Sequence, residues 1–102
     1  MGNHRSLLNI IADMLFAINE NAKKTQIMYR ANLSYGLLIK YLEELSRSCL
    51  ARFEQSQGCY VLTDKGVEFL NRYRDYLKRN KYVEKQMSDV NSRRKALEAL
   101  CS

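Results

Sequence analysis

The sequence predicts a mainly helical (α+β) fold of three short helices, a small β-hairpin and one long C-terminal helix. Apolar residues recur at spacings of three and four up to about residue 46. Two short β-prone stretches then flank a turn that ends in glycine, and residues 67–102 contain neither glycine nor proline. Three helices followed by a hairpin form a winged helix-turn-helix, and the uninterrupted stretch allows one continuous helix.

Apolar spacing and capping residues place the first three helices. The first is expected over residues 5–19, where the apolar residues are Leu7, Leu8, Ile11, Leu15 and Ile18. The second is expected over residues 25–31 with Thr25 as its cap, and the third begins after Ser34, a good N-cap residue. Asn32 tolerates a left-handed backbone and lies in the short turn between these two helices. The third helix has an apolar inner face of Leu38, Leu42 and Leu45.

A β-hairpin is predicted to follow the third helix. Residues 50–54 and 59–62 are β-prone, and glycine at the end of the intervening turn suits a positive φ. Thr63 comes next and is a good N-cap for the long helix. Residues 1–66 are therefore predicted to form the winged helix-turn-helix domain, and residues 67–102 a coiled-coil dimerisation helix.

One heptad register runs through the long helix. The predicted dimerisation residues occupy its a and d positions and are mostly apolar or aromatic: Phe69, Tyr73, Tyr76, Asn80, Val83, Met87, Val90 and Leu97. Arg94 and Cys101 complete the a positions, while Leu70 and Leu77 are assigned to packing against the winged helix. At ~1.5 Å per residue the helix is roughly 50 Å long, which exceeds what a small domain covers. We therefore expect a homodimer, with a helix folded back on its own domain as the alternative.

The charge pattern indicates only weakly whether the two helices of this dimer run parallel or antiparallel. Arg79 and Glu84 occupy a g position and the following e position, as do Arg93 and Glu98. Such pairs attract each other across a parallel coiled coil. Exposed ion pairs contribute only about 0–1 kcal/mol each, so the pattern does not decide between parallel and antiparallel helices.

The charge balance points to an anionic partner. Lys+Arg number 17 against 11 Asp+Glu, which gives a net charge of +6 and a pI of about 9.4. In a small chain this favours nucleic acid ahead of a membrane surface. Residues 63–102 carry most of the surplus, +4 against +2 for residues 1–62. We interpret the charge of the long helix chiefly as a solvated, solubilising surface, with DNA contact as the alternative.

Several classes of protein are excluded by composition. No apolar run approaches the ~20 residues of a membrane span, and a cytoplasmic location is expected. The only histidine is His4, near the terminus, so no catalytic triad or histidine-based metal site is expected. Cys49, Cys59 and Cys101 form no CxxC motif, which indicates a reducing compartment. We expect no enzyme activity, no cofactor, no metal and no small-molecule substrate.

The candidate DNA-binding residues are basic or polar and lie on the second helix, the third helix and the hairpin: Lys23, Lys24, Arg30, Ser34, Tyr35, Lys40, Arg52, Gln55 and Gln57, with Ser56 between the last two. Basic residues at the ends of the second helix suit contacts with phosphates. Polar residues at the tip of a wing suit contacts with the minor groove or the DNA backbone. The alternatives are a solvated turn at the two lysines, a core aromatic at Tyr35 and a plain hairpin.

Three segments of the chain resemble a known family. Residues 24–35 (Lys-Thr-Gln-Ile-Met-Tyr-Arg-Ala-Asn-Leu-Ser-Tyr), 41–45 (Tyr-Leu-Glu-Glu-Leu) and 60–66 (Tyr-Val-Leu-Thr-Asp-Lys-Gly) resemble small archaeal winged-helix proteins of the crenarchaeal ten-kilodalton chromatin-protein family. The resemblance covers about residues 7–100. It implies abundant DNA-binding homodimers joined by an antiparallel coiled coil of their C-terminal helices, so we expect the antiparallel arrangement.

The outer face of the third helix is poor in residues that read bases. It carries Tyr35, Gly36, Ile39 and Glu43, and Lys40 is its only basic residue. Sequence-specific proteins usually present Arg, Asn or Gln to base edges there. The prediction is therefore a dimeric double-stranded DNA-binding protein of the chromatin type, with limited sequence specificity. A sequence-specific transcription regulator and a protein–protein interaction module are the alternatives.

Overall fold

The computed structural model describes residues 5–101; His4 lies outside them. The elements are α1 (Leu7–Ile18), α2 (Lys24–Arg30), α3 (Tyr35–Arg47), β1 (Ala51–Glu54), β2 (Cys59–Leu62) and α4 (Asp64–Leu100). Their order and type confirm the predicted mainly helical winged helix-turn-helix with a long C-terminal helix.

Serine and threonine side chains cap three of the four helices. The Ser6 hydroxyl accepts from the Asn9 N–H at 3.1 Å, and that of Ser34 accepts from the Leu37 N–H at 3.3 Å. Thr63 Oγ1 accepts from the Gly66 N–H at 3.0 Å, which confirms the predicted cap of α4. Each bond satisfies one of the N–H groups that a helix start leaves without a partner.

The predicted cap of α2 is wrong. This helix begins at Lys24, and Thr25 lies within its first turn. The Lys23 N–H donates instead to Gln26 Oε1 at 2.8 Å, so a glutamine side chain reaching back closes the helix start. Asn32 has a φ of 54°, which confirms the left-handed turn between α2 and α3.

The core lies between the three short helices and the hairpin. Its fully buried side chains include Met14, Leu15, Ile18, Ile27, Leu38 and Leu45. Leu38, Leu42 and Leu45 are all buried, as expected for the inner face of α3. Burying one such side chain contributes about 1.5–3 kcal/mol, so this cluster is what fixes the position of α3.

The hairpin is antiparallel and is extended by one bridge to the α1–α2 connection. Phe53 lies opposite Tyr60 in the register, and their rings meet edge to face at 5.1 Å. The backbone of Tyr60 also exchanges hydrogen bonds with Ala22, at 2.8 and 3.2 Å. Gly58 has a φ of 64° in the turn, as predicted. The bridge to Ala22 brings the hairpin beside the start of α2.

The chain divides into two compact units, one ending at Asn71 and one beginning at Arg72. The division falls five residues after the boundary predicted from the sequence. Leu70 is buried in the core of the first unit, as predicted. Phe69, a predicted seam residue, is partly buried and packs against the same core, so part of its side chain is covered within its own domain.

The second unit is the remainder of α4. Tyr73 is buried and its ring lies 6.2 Å from that of Tyr76. Every later residue that the structure describes is exposed, Leu77 included. No helix within residues 5–101 is long and apolar enough to cross a membrane.

Candidate nucleic-acid interface

The turn between α2 and α3 is held by backbone and side-chain bonds. The Leu33 N–H donates to the Met28 carbonyl at 3.0 Å, and Leu33 is buried. From the other side, the Arg5 guanidinium donates to the carbonyls of Ala31 at 2.7 Å and Asn32 at 2.8 Å. These bonds connect the turn to α2 and to the residue ahead of α1.

The outer face of α3 is exposed and aromatic as well as basic. Tyr35 is 63% exposed, so the alternative of a core aromatic is wrong. The Lys40 ammonium lies 5.5 Å from the centre of the Tyr41 ring, which is a cation–π distance. Glu43 faces Arg47 at 3.7 Å, so the acid on this face has a basic neighbour one turn away.

The two lysines before and at the start of α2 lie beside the hairpin. A cleft of about 500 Å³ is lined by Lys23, Lys24, Thr25, Phe53, Gly58 and Tyr60. A second cleft, of about 320 Å³, is lined by Lys24, Ile39, Leu42, Glu43, Ser46 and Tyr60. Because Lys24 and Tyr60 line both, they connect the hairpin side of α2 with the α3 side.

The tip of the hairpin is polar and exposed. Gln55 and Gln57 are both open to solvent, and the Asn21 side-chain amide lies 3.5 Å from Gln57 Oε1. The wing tip is therefore tied to the α1–α2 connection. Its position beside Lys23 follows from this contact and from the bridge at Tyr60.

Two of the predicted DNA-binding arginines are engaged within the protein. The Arg30 guanidinium donates to the Ala17 carbonyl at 3.0 Å, which satisfies a group near the end of α1. Arg52 pairs with Glu54 at 2.6 Å along the same strand. Both side chains have a structural partner, whereas Lys23, Lys24 and Lys40 make no ion pair with any described residue.

Three aromatic residues of this surface were not among the predicted site residues. Tyr29 is 78% exposed on α2, and Phe53 and Tyr60 line the cleft beside the lysines. The period-two alternation of the hairpin is the signal that places Phe53 and Tyr60 on one face. The exposure of Tyr29 follows from Ile27 being the buried residue of that short helix.

The second unit carries the candidate dimerisation surface. Five predicted seam residues are large, apolar or aromatic, and between 51% and 65% exposed: Tyr76, Val83, Met87, Val90 and Leu97. Asn80 interrupts this row, with its side-chain amide 3.4 Å from Glu84 Oε1. A row of apolar residues at heptad spacing on one helix is typical of a coiled-coil seam.

Groups that could hold a metal are not assembled in the described part of the chain. No cluster of three or more His, Cys, Asp or Glu side chains occurs within residues 5–101. Cys49 and Cys101 are exposed, Cys59 is buried, and all three are free thiols. The features that the structure brings together are therefore basic, aromatic and polar.

Comparisons with known proteins agree with this architecture. No curated protein matches the chain. The crystal structure of Sso10a-2, a DNA-binding protein from Sulfolobus solfataricus, superposes with a TM-score of 0.76 at 21% identity and covers 86% of this chain and 95% of that one. This likeness confirms, at the level of the fold, the resemblance to small archaeal winged-helix proteins. A winged helix-turn-helix family model matches residues 4–81, and the chain therefore belongs to the winged helix-turn-helix family.

Proposed function

We propose that this protein is a homodimer that binds double-stranded DNA, chiefly through the phosphate backbone and with limited sequence specificity. The observation that carries the proposal is the pair of clefts beside α2, where exposed lysines lie next to the hairpin and to α3. The likeness to a DNA-binding protein of the same fold supports it.

Lysines provide the affinity in this proposal. Lys23 and Lys24 border the hairpin side of α2, and Lys40 lies on the outer face of α3. An exposed lysine without an intramolecular carboxylate partner is available to a phosphate and releases a counterion on binding. Arg30 and Arg52 are assigned a secondary part, because each already has a partner within the domain.

Limited specificity follows from the composition of α3. Its exposed face presents Tyr35, Gly36 and Lys40, while Ser34 is occupied as the N-cap and Arg47 is paired with Glu43 and Glu44. Bidentate recognition of bases generally uses Arg, Asn or Gln. This face therefore suits contacts to backbone and groove shape, as expected for a chromatin-type protein rather than a regulator with one target site.

Dimerisation through α4 is part of the same proposal. The exposed apolar row from Tyr76 to Leu97 supports a coiled coil, since soluble proteins seldom leave such a continuous surface without a partner. The antiparallel direction is carried over from the family resemblance. A dimer of this kind holds two winged helices and so offers two DNA-binding surfaces.

Paired substitutions test the proposed DNA surface. We expect the variant Lys24→Gln/Lys40→Gln to lower duplex affinity and to reduce the slope of log binding constant against log salt by about 2 for each protomer in contact with DNA. The matched control, Arg79→Gln/Arg93→Gln, removes the same charge from residues that pair with Asp75 and Asp89. Equal binding by wild type and the lysine variant would show that the clefts beside α2 are not the DNA surface.

The exposed tyrosines favour a second candidate function, a protein–protein interaction module. Tyr29 and Tyr35 are both more than half exposed, and tyrosine is enriched at protein interfaces. Under this alternative, the wild-type protein does not bind duplex DNA at low salt. Binding that weakens steeply with salt would exclude the alternative as the main function.

A further inference from the structure

The exposed side of α4 opposite the apolar row carries a line of basic residues. These occupy the b and f positions of the heptad, at spacings of four and three: Arg74, Lys78, Lys81, Lys85 and Lys95. We call this set the basic stripe. Ser88 and Ser92 fill the two positions between Lys85 and Lys95 at the same spacing. Because b and f positions point away from a and d, the basic stripe stays exposed when the apolar row is covered.

Three acidic residues of this unit lie at c and e positions beside the basic stripe and contact other residues. Asp75 pairs with Arg79 at 3.0 Å, and Asp89 pairs with Arg93 at 3.1 Å. Glu84 accepts from the Asn80 amide at 3.4 Å. In the part of the chain that the structure describes, no lysine of the basic stripe makes an ion pair. The charge of its four lysines, Lys78, Lys81, Lys85 and Lys95, is therefore not neutralised by an ion pair within the described helix.

We propose that the basic stripe is a second binding surface for the phosphate backbone of double-stranded DNA, separate from the winged helix. From Arg74 to Lys85 the helix rises about 16 Å at ~1.5 Å per residue. Phosphates on one DNA strand follow each other at ~3.4 Å along the axis, so several lie within reach of this line. The contact recognises the phosphate charge and not the base sequence, because lysine is a flexible point charge.

The composition of the basic stripe favours DNA over the other anionic partners. A helix that lies on a lipid surface needs a large apolar face next to its basic residues. Between Lys85 and Lys95 the basic stripe contains only Ser88 and Ser92, and the a and d residues lie on the opposite side. Tyr82 borders the stripe next to Lys78, but a single aromatic side chain does not make an apolar face. Each lysine of the basic stripe has a carboxylate three or four residues away, and none of these lysines forms an ion pair with it in the described structure. Here the two arginines Arg79 and Arg93 are matched to acids and the lysines are not.

Substitutions in both directions test the basic stripe in the full-length protein. We expect Lys81→Gln/Lys85→Gln to reduce the salt slope of duplex binding by about 2 for each protomer in contact with DNA. Arg79→Gln/Arg93→Gln, which removes equal charge from paired arginines of the same helix, is expected to change it by less than half as much. Ser88→Lys/Ser92→Lys completes the line and is expected to raise both the affinity and the slope.

Four outcomes overturn the proposal. The first is that the lysine variant binds duplex DNA like wild type. The second is that the arginine control reduces the salt slope as much as the lysine variant does, which would mean that only net charge matters. The third is that the serine variant raises neither the affinity nor the salt slope. The fourth is loss of binding to vesicles of phosphatidylserine and phosphatidylcholine by the lysine variant with duplex binding unchanged, which would assign the basic stripe to a lipid. Each is distinct from failure of the proposed function, in which Lys24→Gln/Lys40→Gln has no effect.

Discussion

Arg5 Nη2 donates a 2.8 Å hydrogen bond to the carbonyl oxygen of Asn32, at the turn of the helix-turn-helix. Nη1 of the same guanidinium donates to the Ala31 carbonyl and to Asp13 Oδ2. One side chain ahead of α1 therefore binds the carbonyls that follow α2 and one carboxylate of α1. These contacts join segments 26 and 27 residues apart and fix the turn that orients α3.

Replacing Arg5 is expected to destabilise the domain. Hydrogen bonds to charged groups contribute about 1.5–3 kcal/mol each when partly buried, and solvent reduces this where the groups are exposed. We expect Arg5→Ala to lower the free energy of unfolding by about 2 kcal/mol, measured by urea denaturation at fixed protein concentration. Arg47→Ala is the control, because its pairs with Glu43 and Glu44 are exposed and are expected to contribute less than about 1 kcal/mol. Equal effects of both variants would contradict the role given to Arg5.

Gly66 is required by close packing rather than by its backbone angle. A Cβ built at this position overlaps the carbonyl oxygen and carbon of Leu50, which are backbone atoms that cannot turn away. Gly66→Ala is expected to cost about 1–3 kcal/mol of unfolding free energy. A Cβ placed on Gly36 has no atom within 4 Å, and Gly36 lies in α3. Gly36→Ala is therefore expected to raise the free energy of unfolding by about 0.5–1 kcal/mol. Thermal unfolding of the two variants checks the opposite signs.

The apolar row of α4 is expected to hold the dimer together. Val83→Lys/Val90→Lys places two charges in the seam and removes side chains that each contribute about 1.5–3 kcal/mol when buried. Light scattering is expected to show a monomer for this variant and a dimer for wild type. Tyr82→Lys is the control, because Tyr82 is exposed and lies outside the a and d positions. A dimer that survives the valine substitutions would place the interface elsewhere.

Cys101 reports the direction of the two helices. It is exposed at the end of α4, in a predicted a position. In an antiparallel pair the two copies lie at opposite ends and cannot approach the roughly 5.5–6 Å between Cα atoms that a disulfide needs. Mild oxidation of a Cys49→Ser variant is therefore expected to leave the dimer uncrosslinked on a non-reducing gel. Rapid and complete crosslinking through Cys101 would indicate parallel helices.

Local signals in the sequence were sufficient for the elements and for the caps of α3 and α4. The four-and-three spacing of Leu38, Leu42 and Leu45 identified the buried face of α3, and Thr63 identified the start of α4. Asn32 marked the left-handed turn. Each of these features depends on residues within about one helical turn of each other, and structure over that range can be predicted from sequence patterns.

Contacts between distant segments could not be predicted. The cap of α2 is a local exception: Thr25 was predicted, but the Gln26 side chain, only three residues from Lys23, accepts from the Lys23 N–H. Phe69 fits the heptad, and it packs against the domain core because the first turns of α4 belong to that unit. Arg30 was assigned to DNA on its position alone, and its bond to Ala17 depends on how α1 and α2 pack.

Binding of the wild-type protein to two duplexes of unrelated sequence, as a function of salt and with the mass in solution recorded in the same samples, tests the central claim most directly. We predict a dimer that binds both duplexes with equal affinity, and an affinity that falls steeply as salt rises. Absence of duplex binding at low salt, or binding that is insensitive to salt, would contradict the assignment of this chain as a backbone-binding DNA protein.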